Sequence, residues 1–293
     1  MAYKKGEVTS GAQMTEVMRQ FFTENASCGW KLIRAEDSEA GKVKVQQITT
    51  GRVRILDFVS MKAIGILNSG LTSSIPSVSY FQVTHDAGLV FPCTYHILAN
   101  SDLFLVVMQR FADDHCLMAG TGTVYDIFSG SSLGNYYSSS NKNGFSELTY
   151  FFADQGGSVS VRCGWFESSN GDWLRVGGFD KPCVTALVSF EKNSEMKAEF
   201  LMASYWNYNI DAMIFKPSST VVFLPALLGK ITAPAEGTQT ELFAELPYMR
   251  VCSTKFHAPG EVVEYQSHRW IIFPNPTPGG YGFAFRLQPE DVL

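Results

Sequence analysis

The stretch QSHRWIIFPNPTPGGYGFAF, residues 266–285, holds an apolar run, a turn dense in proline and glycine, and a second apolar run. Tyr265, His268, Arg269 and Trp270 precede Ile271, Ile272 and Phe273, so the segment passes from mixed to wholly apolar before NPTPGG reverses it. An apolar run with aromatic flanks is the pattern of a strand buried on both faces. The end of the chain reads as three strands, ELPYMRVCST, GEVVEYQSHRWIIFP and YGFAFRL, joined by HAPG and NPTPGG. Arg269 beside Trp270 is suited to stacking or to a salt bridge at an interface, where aromatics and arginine are enriched. Arg269, Trp270, Phe273, Tyr281 and Phe283 are therefore the candidate interface residues, and the segment points to assembly rather than catalysis.

Upstream, short apolar runs recur from Phe145 at intervals of about ten residues, separated by QGG, SSNGD, VGGFDKP and EKNSE. SVSVRCGWFES, SNGDW and LRVGG form the clearest hairpin, because Asn170 and Gly171 supply the positive φ angles of a tight turn. FLMASYWNYNIDAMIF fits a strand pair or one short helix. STVVFLPALL is interrupted by Pro225, which places it near an edge or a loop. Residues 119–146, AGTGTVYDIFSGSSLGNYYSSSNKNGFS, contain little but Gly, Ser, Asn, Tyr and Thr, the composition of a long surface excursion. GTGTVY within it has neither the lysine nor the helix of a phosphate loop, so it reads as the flexible start of that excursion.

Towards the N-terminus, WKLIRAED, KVKVQQI and GRVRILDFV alternate with period two and predict a meander over residues 30–60. YFQVTHDA and FLVVMQRF predict further strands, while FPCTYHILA between them fits a short helix or an extended run equally well. AQMTEVMRQFFTEN carries Met14, Val17, Met18, Phe21 and Phe22 on one face at helical spacing, and Asn25 with SCGW ends it. No fixed-period repeat is present, and turns rather than helices fill the gaps between strands, which disfavours solenoids and parallel α/β folds. The expected fold is mainly β, with antiparallel sandwich or meander sheets and a short N-terminal amphipathic helix. Its regions are 1–118, the loop 119–146, and 147–293, which could also make one continuous domain.

Composition restricts function. The chain has 293 residues, 45% of them apolar, 13% aromatic and only 17% charged, which suits a large interior or much surface hidden against partners. A net charge of -5 disfavours a broad nucleic-acid surface. No run approaches the roughly 20 apolar residues of a membrane-spanning helix, and MAYKKGEVTSG lacks the apolar core of a signal peptide, so folding in cytosol without a membrane is expected. Cys28, Cys93, Cys116, Cys163, Cys183 and Cys252 include no CxxC pair and read as buried reduced thiols.

Catalytic signatures are missing: there is no GxSxG, GxxxxGK[ST], HExxH or GxGxxG ahead of a helix. Among His85, His96, His115, His257 and His268, two lie beside carboxylates, His85 next to Asp86 and His115 after Asp113 and Asp114. Neighbours on a strand point to opposite faces, so these read as turn residues rather than metal ligands, and neither metal nor cofactor is expected. Glu167, Asp172 and Asp180 lie near Trp165, Trp173 and Phe179, which is the composition a carbohydrate site would use. The simpler account makes Asp172 a turn residue and the tryptophans cross-strand anchors.

The amphipathic helix leading into SCGW, the middle section VTHDAGLVFPCTYHILANSDLFLVVMQRF and the finish ELPYMRVCST, GEVVEYQSHRWIIFPN and GFAFRL together resemble the layout of virion structural proteins of tailed double-stranded DNA bacteriophages. The likeness covers about half of the chain and carries no catalytic residue. It implies a non-enzymatic particle subunit of tail or baseplate type, assembled in the host cytoplasm, whose partners are other virion proteins and copies of itself. A shell subunit fits less well, since no long spine helix or extended arm is present. Two alternatives stand beside it. One is a carbohydrate- or receptor-binding module stacking sugars on Trp165, Trp173, Tyr205, Trp206 and Tyr208; the other is a glycan-cleaving enzyme using Glu167 with Asp172 or Asp180.

Overall fold

The computed structural model describes residues 1–35, 42–49, 53–57, 62–67, 91–110, 116–139, 141–142, 149–150, 164–168, 173–176, 183–187, 223–231, 240–254, 257–274 and 281–287. They form a mainly β protein with one helix, α1 (Gly11–Glu24). The helix starts because the Ser10 hydroxyl accepts the Gln13 N–H at 3.2 Å, and it stops where the Asn25 side chain and N–H both donate to the Phe21 carbonyl. Met14, Met18 and Phe21 on its predicted face are fully buried, each contributing about 1.5–3 kcal/mol of apolar transfer.

The predicted meander is present as a four-stranded antiparallel sheet of β2 (Trp30–Ala35), β3 (Lys42–Gln47), β4 (Val53–Asp57) and β5 (Lys62–Leu67) in sequential order. A larger sheet begins with β1 (Ala2–Val8), β6 (Cys93–Ala99), β7 (Leu103–Arg110), β8 (Cys116–Asp126) and β9 (Ser132–Ser139). FPCTYHILA is thus a strand over most of its length. A short pair, β10 (Asn141–Lys142) with β11 (Thr149–Tyr150), stands apart. The large sheet continues through β12 (Gly164–Ser168), β13 (Trp173–Val176), β14 (Cys183–Leu187), β15 (Phe223–Ile231) and β16 (Thr240–Ser253). It ends with β19 (Tyr281–Leu287), β18 (His268–Pro274) and β17 (Glu261–Tyr265), thirteen strands in all. Every neighbouring pair in it is antiparallel except β13 with β14.

This sheet curls. Tyr125 and Asp126 of β8 pair with Glu245 and Ala244 of β16, closing a ring through β8, β9, β12, β13, β14, β15 and β16. Register explains the closure. Phe166 lies opposite both Tyr136 and Leu174, and Ala186 lies opposite Leu228, so apolar positions follow one another around one side of the ring. Glu167, Arg175 and Thr185 occupy the alternate positions.

On either side of the β8–β16 seam the sheet doubles into two layers. Leu98, Leu105 and Val107 from β6 and β7 pack against Ile271, Phe273, Phe283 and Phe285 from β18 and β19 in one cluster. The opposite face of β6–β8 is covered by α1, β2 and β3, where Trp30 and Phe104 sit 5.5 Å apart beside Met14, Met18 and Phe21. β6 is therefore buried at every position. The same holds for Trp270–Phe273: Ile271 and Phe273 enter the inter-layer core while Trp270 and Ile272 join Phe223, Cys252 and Ala284 on the reverse face. Burial on both faces was the expectation for this run.

Two expectations are corrected. The stretch 119–146 is not a surface excursion from its start: residues 119–126 belong to β8, Gly134, Asn135 and Tyr136 of β9 are buried, and the turn between them occupies only 127–131. Its small residues are packing requirements. A Cβ at Gly122 would collide with the Tyr248 hydroxyl and stand 2.9 Å from both the Asp102 carbonyl and the Tyr136 ring, and one at Gly120 would stand 2.9 Å from Leu105. Pro225 stands where β15 has β16 alone as a partner among the described residues, because β14 reaches only as far as Leu227, and a register shift follows it in the ladder to β16. GEVVEYQSHRWIIFP is not one strand. It folds back at Gln266 and Ser267, whose φ angles of 49° and 61° make a two-residue turn between the paired Tyr265 and His268.

Candidate assembly interface

The doubled sheet has one closed side, at the β8–β16 pairing, and one open side. His96 fixes the geometry of the open side. Its ring meets Phe273 of β18 edge-on at a centroid distance of 4.9 Å, and Gly260, at φ 78°, approaches so closely that a Cβ there would lie 2.5 Å from His96 Cε1. Its Nδ1 shares a hydrogen bond of 2.9 Å with the Tyr3 hydroxyl of β1. β6 thus lies over β18, and their outer neighbours β1 and β17 run along the same side of the molecule, one in each layer. Among the described residues neither strand has a second pairing partner.

The two edges differ in charge. β1 carries Lys4 and Lys5, with Lys5 exposed and Lys4 held 2.8 Å from Glu24 of the helix, and one carboxylate, Glu7, which is also exposed. β17 carries Glu261 and Glu264, both exposed, and no cation. The turn ahead of β17 is tied to the strand: Glu261 accepts from His257 Nδ1 at 2.9 Å and from the Ala258 N–H at 3.0 Å. Those bonds offset the burial of its carboxyl and hold it below its ordinary range.

His96 is fully buried, and desolvation, reinforced by nearby Lys5 and opposed by a hydrogen bond with Gln109, pulls its pKa down to about 3. Its Nε2 has no geometrically sound partner, so the Gln109 contact is weak and the ring is neutral at pH 7. Burial likewise pushes the Tyr3 hydroxyl up to about 12, which leaves it protonated beside His96. Cys252 is buried and its thiol is raised well above the ordinary range, giving it no nucleophilic character.

The sequence-derived interface residues are placed as follows. Trp270, Phe273 and Phe283 lie inside the chain's own core, at 2%, 0% and 0% exposure, so they offer no surface to a partner as the chain stands. The reason is the doubled sheet: β18 has β17 and β19 as neighbours and packing on both faces. Arg269 is half-buried, with Glu264 and Leu287 as register partners, and Tyr281 pairs with Ser253. The cation that stacks on Trp270 is Arg250 of β16, 5.0 Å above the ring, while its Nη1 donates to the Met249 carbonyl at 2.8 Å. Sequence reasoning attached Trp270 to its neighbour Arg269, although adjacent strand residues face opposite ways. The long-range partner had no local signal.

For the carbohydrate alternative, β12 pairs with β13 as the predicted hairpin. Register puts Glu167 opposite Trp173 and Trp165 opposite Arg175, all four positions on one face. Trp206, Tyr205, Tyr208, Asp172 and Asp180 lie outside the described residues, as do His85, Asp86, Asp113, Asp114 and His115. No cluster of three His, Cys, Asp or Glu side chains suited to a metal occurs among the described residues, and no helix there is long and apolar enough to cross a membrane.

A buried polar seam was also missed. Gln47 of β3 accepts from Asn135 of β9 at 3.0 Å and donates to the Ser101 carbonyl at 2.8 Å, which fastens the meander to the large sheet. Tyr125 donates to Asp102 at 2.6 Å, and Tyr248 donates to the Thr123 carbonyl at 2.6 Å. These groups satisfy one another and tie strands together. No protein-family model matches this sequence, and no curated protein matches it closely enough to show kinship.

Proposed function

We propose that the chain is a non-enzymatic structural subunit of a bacteriophage particle, of tail or baseplate type, that acts by assembling with copies of itself and with other virion proteins. The observation that carries the assembly reading is the pair of strands, β1 and β17, that end the doubled sheet along one side with no second pairing partner among the described residues. Unpaired strand edges are templates for pairing with another chain. The placement in a phage particle rests on the layout likeness of the helix, the middle section and the C-terminal strands. The low share of charge, 17%, supports a protein that hides surface in an assembly. Light scattering behind a sizing column, with negative-stain images of the peak, tests the reading. A dimer, ring or larger defined oligomer is expected, and a monomer at every concentration would refute self-assembly.

One observation favours a second reading, a glycan-binding module: the shared face of Trp165, Trp173 and Glu167 across β12 and β13. Aromatic pairs flanked by a carboxylate suit stacking and hydrogen bonding to sugar rings. Binding on a glycan array that disappears in Trp165→Ala and Trp173→Ala would establish it, and a blank array would remove it.

A further inference from the structure

The open side of the sheet limits how two copies can join. β1 and β17 lie one above the other, so a twofold axis brings two such sides together in one of two ways. In the first, β1 meets β1 and β17 meets β17. In the second, each copy's β1 meets the other's β17, and two mixed ladders form at once. Backbone geometry permits both, because any extended edge offers free N–H and C=O groups.

Side-chain charge separates them. The like-with-like arrangement brings the Glu261, Glu264 pair, with no cation on its strand, near its own copy, and like charges brought together across a ladder are unfavourable, while the exposed Lys5 and Glu7 leave β1 without that penalty. The crossed arrangement sets the exposed Lys5 edge against the exposed Glu261 and Glu264 edge twice over. Strand direction agrees with this: with every neighbour antiparallel except β13 and β14, β1 and β17 run in opposite senses, so the crossed ladders are antiparallel. The seven residues of β1 span the five of β17.

We infer that the partner of this open side is a second copy of the chain, bound about a twofold axis through two antiparallel β1–β17 ladders. The inference rests on the assembly reading above and narrows it to a surface and an occupant. It also assigns a task to His96. By clamping Tyr3, Gly260 and Phe273 together it holds the two edges in a fixed relation, so both ladders close in one step.

The test uses the full chain, as an equal mixture of unlabelled and 15N-labelled protein treated with a carbodiimide that joins Lys to Glu without a spacer. Mixed light–heavy peptides linking Lys4 or Lys5 to Glu261 or Glu264 are expected. Lys5→Glu, at an exposed position, should raise the dimer dissociation constant about tenfold, and more at low salt. Sedimentation velocity reads the wild type and the variant. An oligomer that forms without those mixed links, or that Lys5→Glu leaves unchanged, overturns the crossed-edge interface while leaving assembly standing. A wild-type chain that stays monomeric removes both.

Discussion

Two hairpins in this molecule look alike in outline and differ in what makes them. β8–β9 is rich in glycine, serine and threonine, yet β8 is buried along nearly its whole length. β17–β18 begins with charged residues, turns on Gln266 and Ser267, and has an exposed outer strand. In the first, small residues exist for their neighbours: Gly122 makes room for Tyr248 and Tyr136, which come from strands 126 and 14 positions away. In the second, the chain turns on two residues that do not favour positive φ. A low-complexity stretch can therefore be core when distant large side chains fill the space it leaves.

The largest effect expected from breaking this comparison is at Gly122. Gly122→Val puts a branched side chain against the Asp102 carbonyl and the Tyr136 ring, each within 2.9 Å of the first added carbon. Backbone and two buried rings cannot yield together, so a loss of about 3 kcal/mol or more is expected, read as a collapse of the denaturant midpoint. The same change at Gly130, in the exposed turn with nothing near it, meets no atoms and costs only the strain of its φ of 67°. If both variants lost equal stability, β8 would not be the packed partner of the C-terminal layer.

Next comes acid. His96 joins β6 to the β17–β18 hairpin, and its pKa of about 3 in the folded chain lies below the ordinary 6.5. Above pH 6.5 both folded and unfolded states hold it neutral and it has no pH effect. Below 6.5 the unfolded chain takes up a proton that the folded chain refuses, so stability falls with pH by about 1.4 kcal/mol per unit until the folded value is reached. Denaturation at pH 7 and pH 4 should differ by about 3 kcal/mol more in the wild type than in His96→Gln. Equal pH slopes would mean that the ring titrates in the folded state and that Gly260 and Phe273 do not seal it.

Tyr248→Phe is a smaller probe of the same seam. It keeps the ring and removes the hydroxyl that donates to the Thr123 carbonyl at 2.6 Å, leaving a buried acceptor short of its partner. A loss of about 1–2 kcal/mol is expected.

What could be read in the sequence follows the same division. The helix was legible because its apolar face and the Asn25 stop are both local. The meander was legible from period-two alternation, and the burial of Trp270–Phe273 from an unbroken apolar run. The core role of 119–126 was not legible, since glycine reports flexibility locally and close packing only once Tyr248 is known to lie against it. Pro225 was legible in part: a proline signals a missing hydrogen bond, and β15 there pairs with β16 alone among the described residues. The burial of Trp270, Phe273 and Phe283 inside the chain's own core was not legible, because a strand buried on both faces and a strand awaiting a partner have the same composition.

The smallest predicted effect sharpens the other hairpin. Gln266 and Ser267 hold φ angles of 49° and 61°, the left-handed region, where Asn and Gly rest at lower cost. Trp270 Nε1 donates to the Tyr265 carbonyl at 3.2 Å, so the turn is also fastened from β18 and its path does not depend on the turn residues alone. Replacing the pair by Asn-Gly should raise stability by about 0.5–1 kcal/mol and leave the fold unchanged, as a shift of the denaturant midpoint at constant slope. Because both residues are exposed, no packing is lost to confuse the result. A decrease would mean that the turn does not adopt this geometry. The edge strand β17 would then lack the fixed register to β18 on which a crossed ladder with a second copy depends.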